Sequence, residues 1–447
     1  MASAADQLAS SISLSKFGQA TELKKRLWFT LGALIIFRLL CYVPLPGVDP
    51  TKLDLLAQRT QGGVVDFFNS FTGGALLHAS IVALGVMPYI TASIVVQLAT
   101  SLSPHLNAIK KEGESGRKRL NQYTRYGTVG LTLFQGWFVA SQYEAAAVEP
   151  GLLFHITSVI SLVGGTMFLM WLGEQITSRG IGNGMSLIIM AGIVARLPVA
   201  LVQLFESGRT GALDPLRLIG VIVGVALLVL FICFMERAQR RILIHYPKRQ
   251  TARGVQAERS HLPLKINTAG VIPPIFASSL LLLPLTITQF AGQGMQQGSG
   301  WWGDFVIFLN QYLHHGSPVY MALYGFGIIF FSFFYAAVVF NPEETADNLK
   351  RYGGFIPGIR PGKNTEVYFD YVLTRITVIG AAYLAIICLV PEYFVSAMGI
   401  PFYLGGTSLL IVVNVTMDTV AQIQSHLLAH QYGDLIKKAK LKGARTR

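Results

Sequence analysis

Residues 216–235 read LRLIGVIVGVALLVLFICFM and carry one charged side chain, that of Arg217. A bilayer core about 30 Å thick is crossed by roughly 20 predominantly apolar helical residues, which is the length of this stretch. The whole chain has a similar character, because 52% of its 447 residues are hydrophobic, 13% are charged and the mean hydropathy is +0.49. Soluble proteins are about one quarter charged. The composition therefore excludes soluble, disordered, collagen-like and coiled-coil proteins and predicts an integral membrane protein.

The same length criterion, applied outward from this stretch, gives ten candidate membrane spans. These spans are 27–43, 79–100, 126–143, 153–174, 185–205, 216–235, 268–291, 318–340, 372–395 and 402–424. An even number of spans places both termini on the same side of the membrane. The segment before the first span is polar and ends in Lys24-Lys25-Arg26, with no small-residue cleavage site after the span. We therefore expect an uncleaved first helix and not a signal peptide.

The basic residues orient these spans. Of the 36 Lys and Arg residues, thirty fall in loops or span ends on the side that holds both termini, four fall in loops or span ends on the opposite side, and two, Arg38 and Arg196, lie well within spans. Because Lys and Arg accumulate in cytoplasmic loops, both termini are predicted to be cytoplasmic. The inner loop 236–267 alone holds eight basic residues. This charge has two readings that stay open, orientation near anionic lipid head groups or docking to an anionic partner such as ribosomal RNA.

The segment 64–78 is apolar on one face but too short to span. Asp66 and Asn69 would be costly in lipid, and Gly73-Gly74 interrupts the segment before the second span. Such a half-helix is tolerated where protein buries it or where it lines a wet cavity. The residues leave two alternatives, a helix lying at the outer interface and a re-entrant segment that closes a pore.

Several spans contain helix breakers, and these favour a transport pathway. The breakers are Pro88 after Gly85, Gly164-Gly165, Pro273-Pro274, Pro284 and Gly405-Gly406. Interrupted spans in both halves of a chain are typical of transporters and channels. A secondary transporter for a small solute is the rival function, but ionisable residues at membrane depth are few. A membrane hydrolase is a third possibility, and the chain has no HExxH or GxSxG motif. The three cysteines lie in apolar runs without a CxxC pair, and we expect no disulfide, metal or cofactor.

Five longer motifs make the chain recognisable. They are GVMPYITASIVVQL at 85–98, LGEQITSRGIGNGMSLII at 172–189, HLPLKINTAGVIP at 261–273, NPEETADNLK at 341–350 and PFYLGGTSLLI at 401–411. With these motifs the chain closely resembles the SecY family, the channel-forming subunits of protein translocases, from about residue 20 to the C-terminus. Within the second motif, the Gly180-x-Gly-x-Gly184 pattern is too isolated for a dinucleotide site and predicts a tight turn between spans.

The resemblance implies an all-α polytopic membrane protein whose ten transmembrane helices form an hourglass channel. Two pseudo-symmetric five-helix halves would comprise 27–205 and 206–424, flanked by cytoplasmic segments 1–26 and 425–447. The first half would include a re-entrant plug helix at 64–73, and the second the cytoplasmic loops 236–267 and 341–371.

The resemblance also assigns residues to roles. The constriction ring of the pore would be formed by Val86, Ile90, Met185, Ile189, Ile275 and Ile411. The packing face of the plug would be Phe67, Phe68 and Phe71. Polar residues of the lateral gate would be Thr91, Gln135, Ser278 and Ser279. Partner docking would use Lys248, Arg249, Arg253, Arg360 and Lys363.

The function implied by the resemblance is passive and not enzymatic. The chain would pass unfolded polypeptides across the bacterial inner membrane and release apolar segments into lipid through the lateral gate. Its partners would be the SecE and SecG membrane subunits, the SecA ATPase, the ribosome with its RNA, signal sequences, nascent polypeptides and membrane lipids. No cofactor is implied.

Overall fold

A computed structural model gives the structure of the chain. It describes residues 21–49, 51–53, 69, 71–211, 214–246, 249–251, 254–256, 259–281, 312, 317–398 and 405–443. Only the backbone is described at 249–251, 254–256, 259, 395–398 and 429–443.

Helices account for most of the described residues. In chain order they are α1 (Thr21–Leu40), α2 (Met87–Leu102), α3 (Pro104–Lys111), α4 (Glu114–Tyr143), α5 (Leu152–Arg179), α6 (Gly184–Arg209), α7 (Pro215–Arg237), α8 (Ile272–Leu281), α9 (Pro318–Val339), α10 (Pro342–Arg351), α11 (Lys363–Met398) and α12 (Gly406–Gly443). One 3₁₀ turn, Glu144–Ala146, follows α4. The prediction of a mostly helical protein is thereby confirmed.

Within the described residues, six helices are long and apolar enough to cross a membrane. They are α5, α6, α7, α9, α11 and the apolar part of α12. The predicted spans at 79–100 and 268–291 coincide with shorter apolar helices, α2 and α8, and residues 282–291 lie outside the described residues. α7 is the most exposed of the six, with only Ile232 and Glu236 buried, as expected of a helix that faces lipid.

The second predicted span begins later than expected. Residues 81–86 form turns, and α2 starts at Met87 with Pro88 in its first turn. Proline is compatible with this position because the first N–H groups of a helix have no partner within it. Pro88 therefore marks the start of a helix and not a break within one.

The all-α prediction needs a correction in the first inner loop, which contains two antiparallel strand pairs. β1 (Gln239–His245) pairs with β4 (Arg259–Lys265), and β2 (Arg249–Thr251) pairs with β3 (Gly254–Gln256). Ile242 and Ile244 of β1 are buried and alternate with more exposed neighbours. This period of two is the pattern of a strand with one face packed.

A capping residue fixes the start of α10 in the second inner loop. Asn341 precedes α10, and its Oδ1 accepts hydrogen bonds from the backbone N–H of Glu343 at 3.1 Å and of Glu344 at 3.5 Å. Pro342 occupies the first turn, acidic residues follow it, and Lys350 and Arg351 end the helix. This order matches the helix dipole.

The chain divides into two compact units, Met1–Pro198 with Val415–Arg447, and Val199–Asn414. In the first unit, the connection between α1 and α2 packs on α4 and α5 around Leu45, Leu84, Tyr143, Phe154 and Leu162. In the second, the two inner loops share a core with α11. The five-helix halves at 27–205 and 206–424 remain a prediction.

Candidate functional site: the inner loops and the predicted ring, gate and plug residues

The two long inner loops are joined into one body, here called the loop platform, which comprises β1, β4, α10, residues 352–362 and the first turns of α11. His245 at the end of β1 and Phe355 in the second loop exchange both backbone hydrogen bonds, each 2.9 Å long. The sequence suggested two separate charged loops. The structure shows a shared scaffold.

A hydrophobic core holds the loop platform together. Its buried members are Ile242, Ile244, Leu264, Ala346, Leu349, Ile356, Phe369, Val372 and Ile376. Phe369 is fully buried and meets the ring of Phe340 edge-on, with centroids 6.0 Å apart. The platform thus has a packed hydrophobic interior of its own.

Arg360 stands at the surface of this platform. Ile356 is buried and Ile359 packs on the core, so the chain between them and α11 is fixed. The carbonyl of Arg360 accepts a 3.0 Å hydrogen bond from the hydroxyl of Thr365, which is buried in the first turn of α11. The Arg360 and Lys363 side chains are both exposed. Of the other predicted docking residues, Arg249 is described only in its backbone, and Lys248 and Arg253 lie outside the described residues.

A buried polar contact lies where the platform meets the membrane helices of its unit. Asn267, between β4 and α8, donates from Nδ2 to the Glu236 carboxylate at 2.6 Å and to the Gly270 carbonyl at 3.1 Å. Both side chains are less than 10% exposed. The contact joins the end of α7 to the start of α8, which carries Ile275, and sequence reasoning missed it.

The predicted ring residues are apolar and mostly buried. Val86, Ile90 and Ile189 are buried in the first unit, and Ile275 and Ile411 in the second. Met185 is half-buried, and an added Cβ at Gly173 would lie 2.6 Å from its sulfur, so the thioether packs on α5. The ring as a whole remains a prediction.

The predicted gate residues are buried polar groups. Thr91 donates to the carbonyl of Met87 at 3.1 Å, and Ser278 to that of Ile275 at 2.9 Å. Neither Gln135 Oε1 nor Ser279 Oγ has a hydrogen-bond partner among the described residues. Gln135 continues a row of buried hydroxyls that the sequence analysis did not single out. Its members are Thr124, Thr128 and Thr132 on α4.

The end of the predicted plug segment 64–73 is closely held. Phe71 is 5% exposed and Asn69 is fully buried, whereas Phe67 and Phe68 lie outside the described residues. The N–H of Gly74 donates to the carbonyl of Asn69 at 3.0 Å, which closes a helical turn. Nη1 of Arg38 on α1 donates to the carbonyl of Gly73 at 2.8 Å.

The Gly180–Gly184 stretch is the tight turn that the sequence predicted, between α5 and α6. The N–H of Ile181 donates to the Thr30 hydroxyl at 3.1 Å, and the N–H of Gly182 to Oε1 of Gln422 at 2.8 Å. A Cβ at Gly184 would lie 2.0 Å from the carbonyl oxygen of Gly173, so only glycine can be accommodated there. Thr30 and Gln422 were not identifiable from the sequence, because they lie far from the turn along the chain.

Other polar features fit a structural role. Nη2 of Arg125 on α4 binds both carboxylate oxygens of Glu174 on α5, at 2.9 and 2.7 Å. In the outer connection, the hydroxyl and the N–H of Thr51 donate to Asp49 and hold the pKa of that carboxyl below its ordinary value. The three cysteines are free. No group of three or more His, Cys, Asp or Glu side chains within the described residues could hold a metal ion.

Known proteins resemble this chain over nearly its whole length. The SecY family model matches residues 80–420. The protein translocase subunit SecY of Escherichia coli strain K12 is 53% identical over 433 residues, covering 95% of this chain and 96% of that protein. SecY of Vibrio cholerae is also 53% identical, over 429 residues, with the same coverage of both chains.

Solved structures share the fold. A protein-conducting channel superposes with a TM-score of 0.64 at 17% identity, covering 90% of this chain and 92% of that one. The Sec61 chain of a canine ribosome-channel complex gives a TM-score of 0.60 at 16% identity, with the same coverage. The family model, the sequence identity and the fold agree, and the chain belongs to the SecY family of protein translocase subunits.

Proposed function

We propose that this chain forms the path by which unfolded polypeptides cross the bacterial inner membrane. The observation that carries the proposal is the chemistry of the six candidate ring positions, which hold only aliphatic or thioether side chains, five of them buried. A collar of this kind excludes water by dewetting when it is empty. It also contains no hydrogen-bonding group that would trap a particular passing sequence.

A lateral exit between the second and third and the seventh and eighth spans would release apolar segments into lipid. Partitioning favours this by about 0.3 to 0.6 kcal/mol for each central Leu, Ile, Phe or Val of a signal sequence. The buried polar atoms of Gln135 and Ser279 support the assignment, since an unpaired buried polar group weakens a closed contact. Signal-sequence binding would then shift a closed–open equilibrium.

The loop platform would receive the partner that drives transport, with both chain termini on the same cytoplasmic side. The backbone of Arg360 is held over a packed core, and its exposed guanidinium is suited to a carboxylate or phosphate partner. SecA is the expected partner for completed precursors, and the ribosome, through its RNA, for nascent chains. SecE and SecG would be the accompanying membrane subunits. Sec61 occurs in a ribosome-channel complex, and the platform gives this chain a surface for similar docking.

Polar substitution in the ring tests the proposal. In membrane vesicles that contain the whole complex, Ile189→Ser and Ile275→Asn should each raise the ion leak of the resting channel or allow precursors with defective signals to pass. Val194→Ser is the matched control, because Val194 lies on the same helix as Ile189 and is 42% exposed. Ring variants as tight and as selective as the control would refute an apolar seal at these positions.

A further inference from the structure

Arg38 is a charged residue inside the predicted span 27–43, and the contacts of its guanidinium indicate its role there. Besides the 2.8 Å bond to the Gly73 carbonyl, Nη2 donates to the Tyr42 hydroxyl at 3.1 Å, and the guanidinium lies 5.4 Å from the centre of the Tyr42 ring. A charge in such a position is costly unless it is paired. Here a main contact of the guanidinium is the backbone at the end of the plug segment.

Gly192 on α6 approaches the same backbone from another helix. A Cβ at Gly192 would lie 2.7 Å from the carbonyl oxygen of Phe71 and 3.2 Å from the nitrogen of Gly73. A Cβ at Gly73 would lie 2.9 Å from both Nη1 of Arg38 and Cα of Gly192, and Gly73 has a left-handed φ of +70°. The end of the segment thus passes between α1 and α6 at a distance that only glycines allow.

Gly192 and the ring candidate Ile189 lie three positions apart on α6. Residues with this spacing share one helix face. A shift of α6 that moves Ile189 therefore also moves the surface on which the backbone of residues 71–73 rests.

We propose that Arg38 and Gly192 clamp residues 71–73 and are the positioning residues that keep the plug segment in its resting place. This inference rests on the proposed function of the chain as a sealed channel. The clamp has a polar half and a steric half. Arg38 supplies a charge-assisted hydrogen bond to a backbone carbonyl, and Gly192 supplies the space that lets the chain approach α6. Release of the segment would follow when α6 moves, so ring widening and plug release would be coupled through one helix.

The steric half is tested with two alanine variants. Gly192→Ala should displace the Phe71 carbonyl, whereas Gly164→Ala on α5 places its methyl group where no atom lies within 4 Å. Both changes improve the local helix propensity, so a difference between them reports the clash and not a loss of helix. In vesicles containing the complete complex, we expect Gly192→Ala to raise the resting ion leak while the Gly164→Ala vesicles stay tight.

The polar half is tested with Arg38→Gln and Arg38→Lys. We expect Arg38→Gln to raise the resting leak about tenfold, because a hydrogen bond made by a charged group is lost. Arg38→Lys should restore part of the tightness, since an ammonium group can still donate to the Gly73 carbonyl but cannot reproduce the guanidinium fork. Transport of a precursor with an intact signal should persist in both variants. A merely structural role would instead lower transport together with the rise in leak.

The outcomes separate this inference from the proposed function. If Ile189→Ser vesicles leak while the Arg38→Gln and Gly192→Ala vesicles stay tight, the clamp is refuted and the apolar seal stands. If Ile189→Ser vesicles also stay tight and reject precursors with defective signals as the control does, the sealed channel fails and the clamp fails with it. Equal leak in Gly192→Ala and Gly164→Ala vesicles, or loss of transport in parallel with the leak, would also overturn the clamp.

Discussion

Phe369→Ala should disable the loop platform without removing any of its charges. Phe369 is fully buried in the core shared by the two inner loops and α11. Truncation of a buried phenylalanine costs about 3 to 5 kcal/mol, which corresponds to roughly two to four powers of ten in the equilibrium between packed and open forms. Local units open at a lower cost than the whole protein. We therefore expect the platform to open locally while the membrane helices stay folded.

The assay compares Phe369→Ala with Val367→Ala, a residue that is 62% exposed on the same helix. Substitutions at exposed positions usually change stability by within about 0.5 kcal/mol. In membrane vesicles, trypsin should cleave near Arg360 much faster in Phe369→Ala than in the control, and partner-driven transport should fall. Unchanged cleavage and transport in Phe369→Ala would show that the shared core does not position the docking surface.

Three further changes test other parts of the proposals. Arg360→Glu should impair export while the protein remains folded in the membrane, and normal secretion by this variant would remove the docking role. Asn267→Ala should remove the amide donor from the buried Glu236 carboxylate and destabilise the protein by about 1 to 3 kcal/mol. Thermal unfolding of the two single variants and of the Glu236→Gln/Asn267→Ala double variant tests the coupling. If the stability lost by the double variant equals the sum of the two single losses, the side chains are not coupled. Cysteines placed singly at Ser93 and Ser279 should each crosslink to a stalled signal sequence, and a crosslink at neither position would place the gate elsewhere.

Apolar length and the low content of charged residues were sufficient to predict a membrane protein made mainly of helices. The ends of the helices and strands were predicted less well. The apolar run from residue 79 continues smoothly into α2, so hydropathy alone set the start of the helix too early, although Pro88 carried the signal for the correct position. Similarly, the alternation at Ile242 and Ile244 could have identified β1, but it was obscured by the many basic residues of the same loop.

Contacts between distant parts of the chain could not be predicted. The pattern from Gly180 to Gly184 indicated a turn, yet its partners Thr30 and Gln422 lie about 150 and 240 positions away. The role of Gly192 could not be predicted either. It lets the backbone of residues 71–73 come close to α6, and no motif around it indicates this. The identity of such residues depends on which helices and loops pack together, and a single sequence does not show which of them do.

The two hydrogen bonds between His245 and Phe355 join main-chain atoms, and the two rings also meet edge-on, with centroids 5.8 Å apart. Any residue with an amide hydrogen can make the two main-chain bonds, so a change of side chain would remove the ring contact and still keep the two loops in register. Proline has no amide hydrogen and at either position would remove one of the two bonds. We therefore expect proline to be absent from both positions in related sequences.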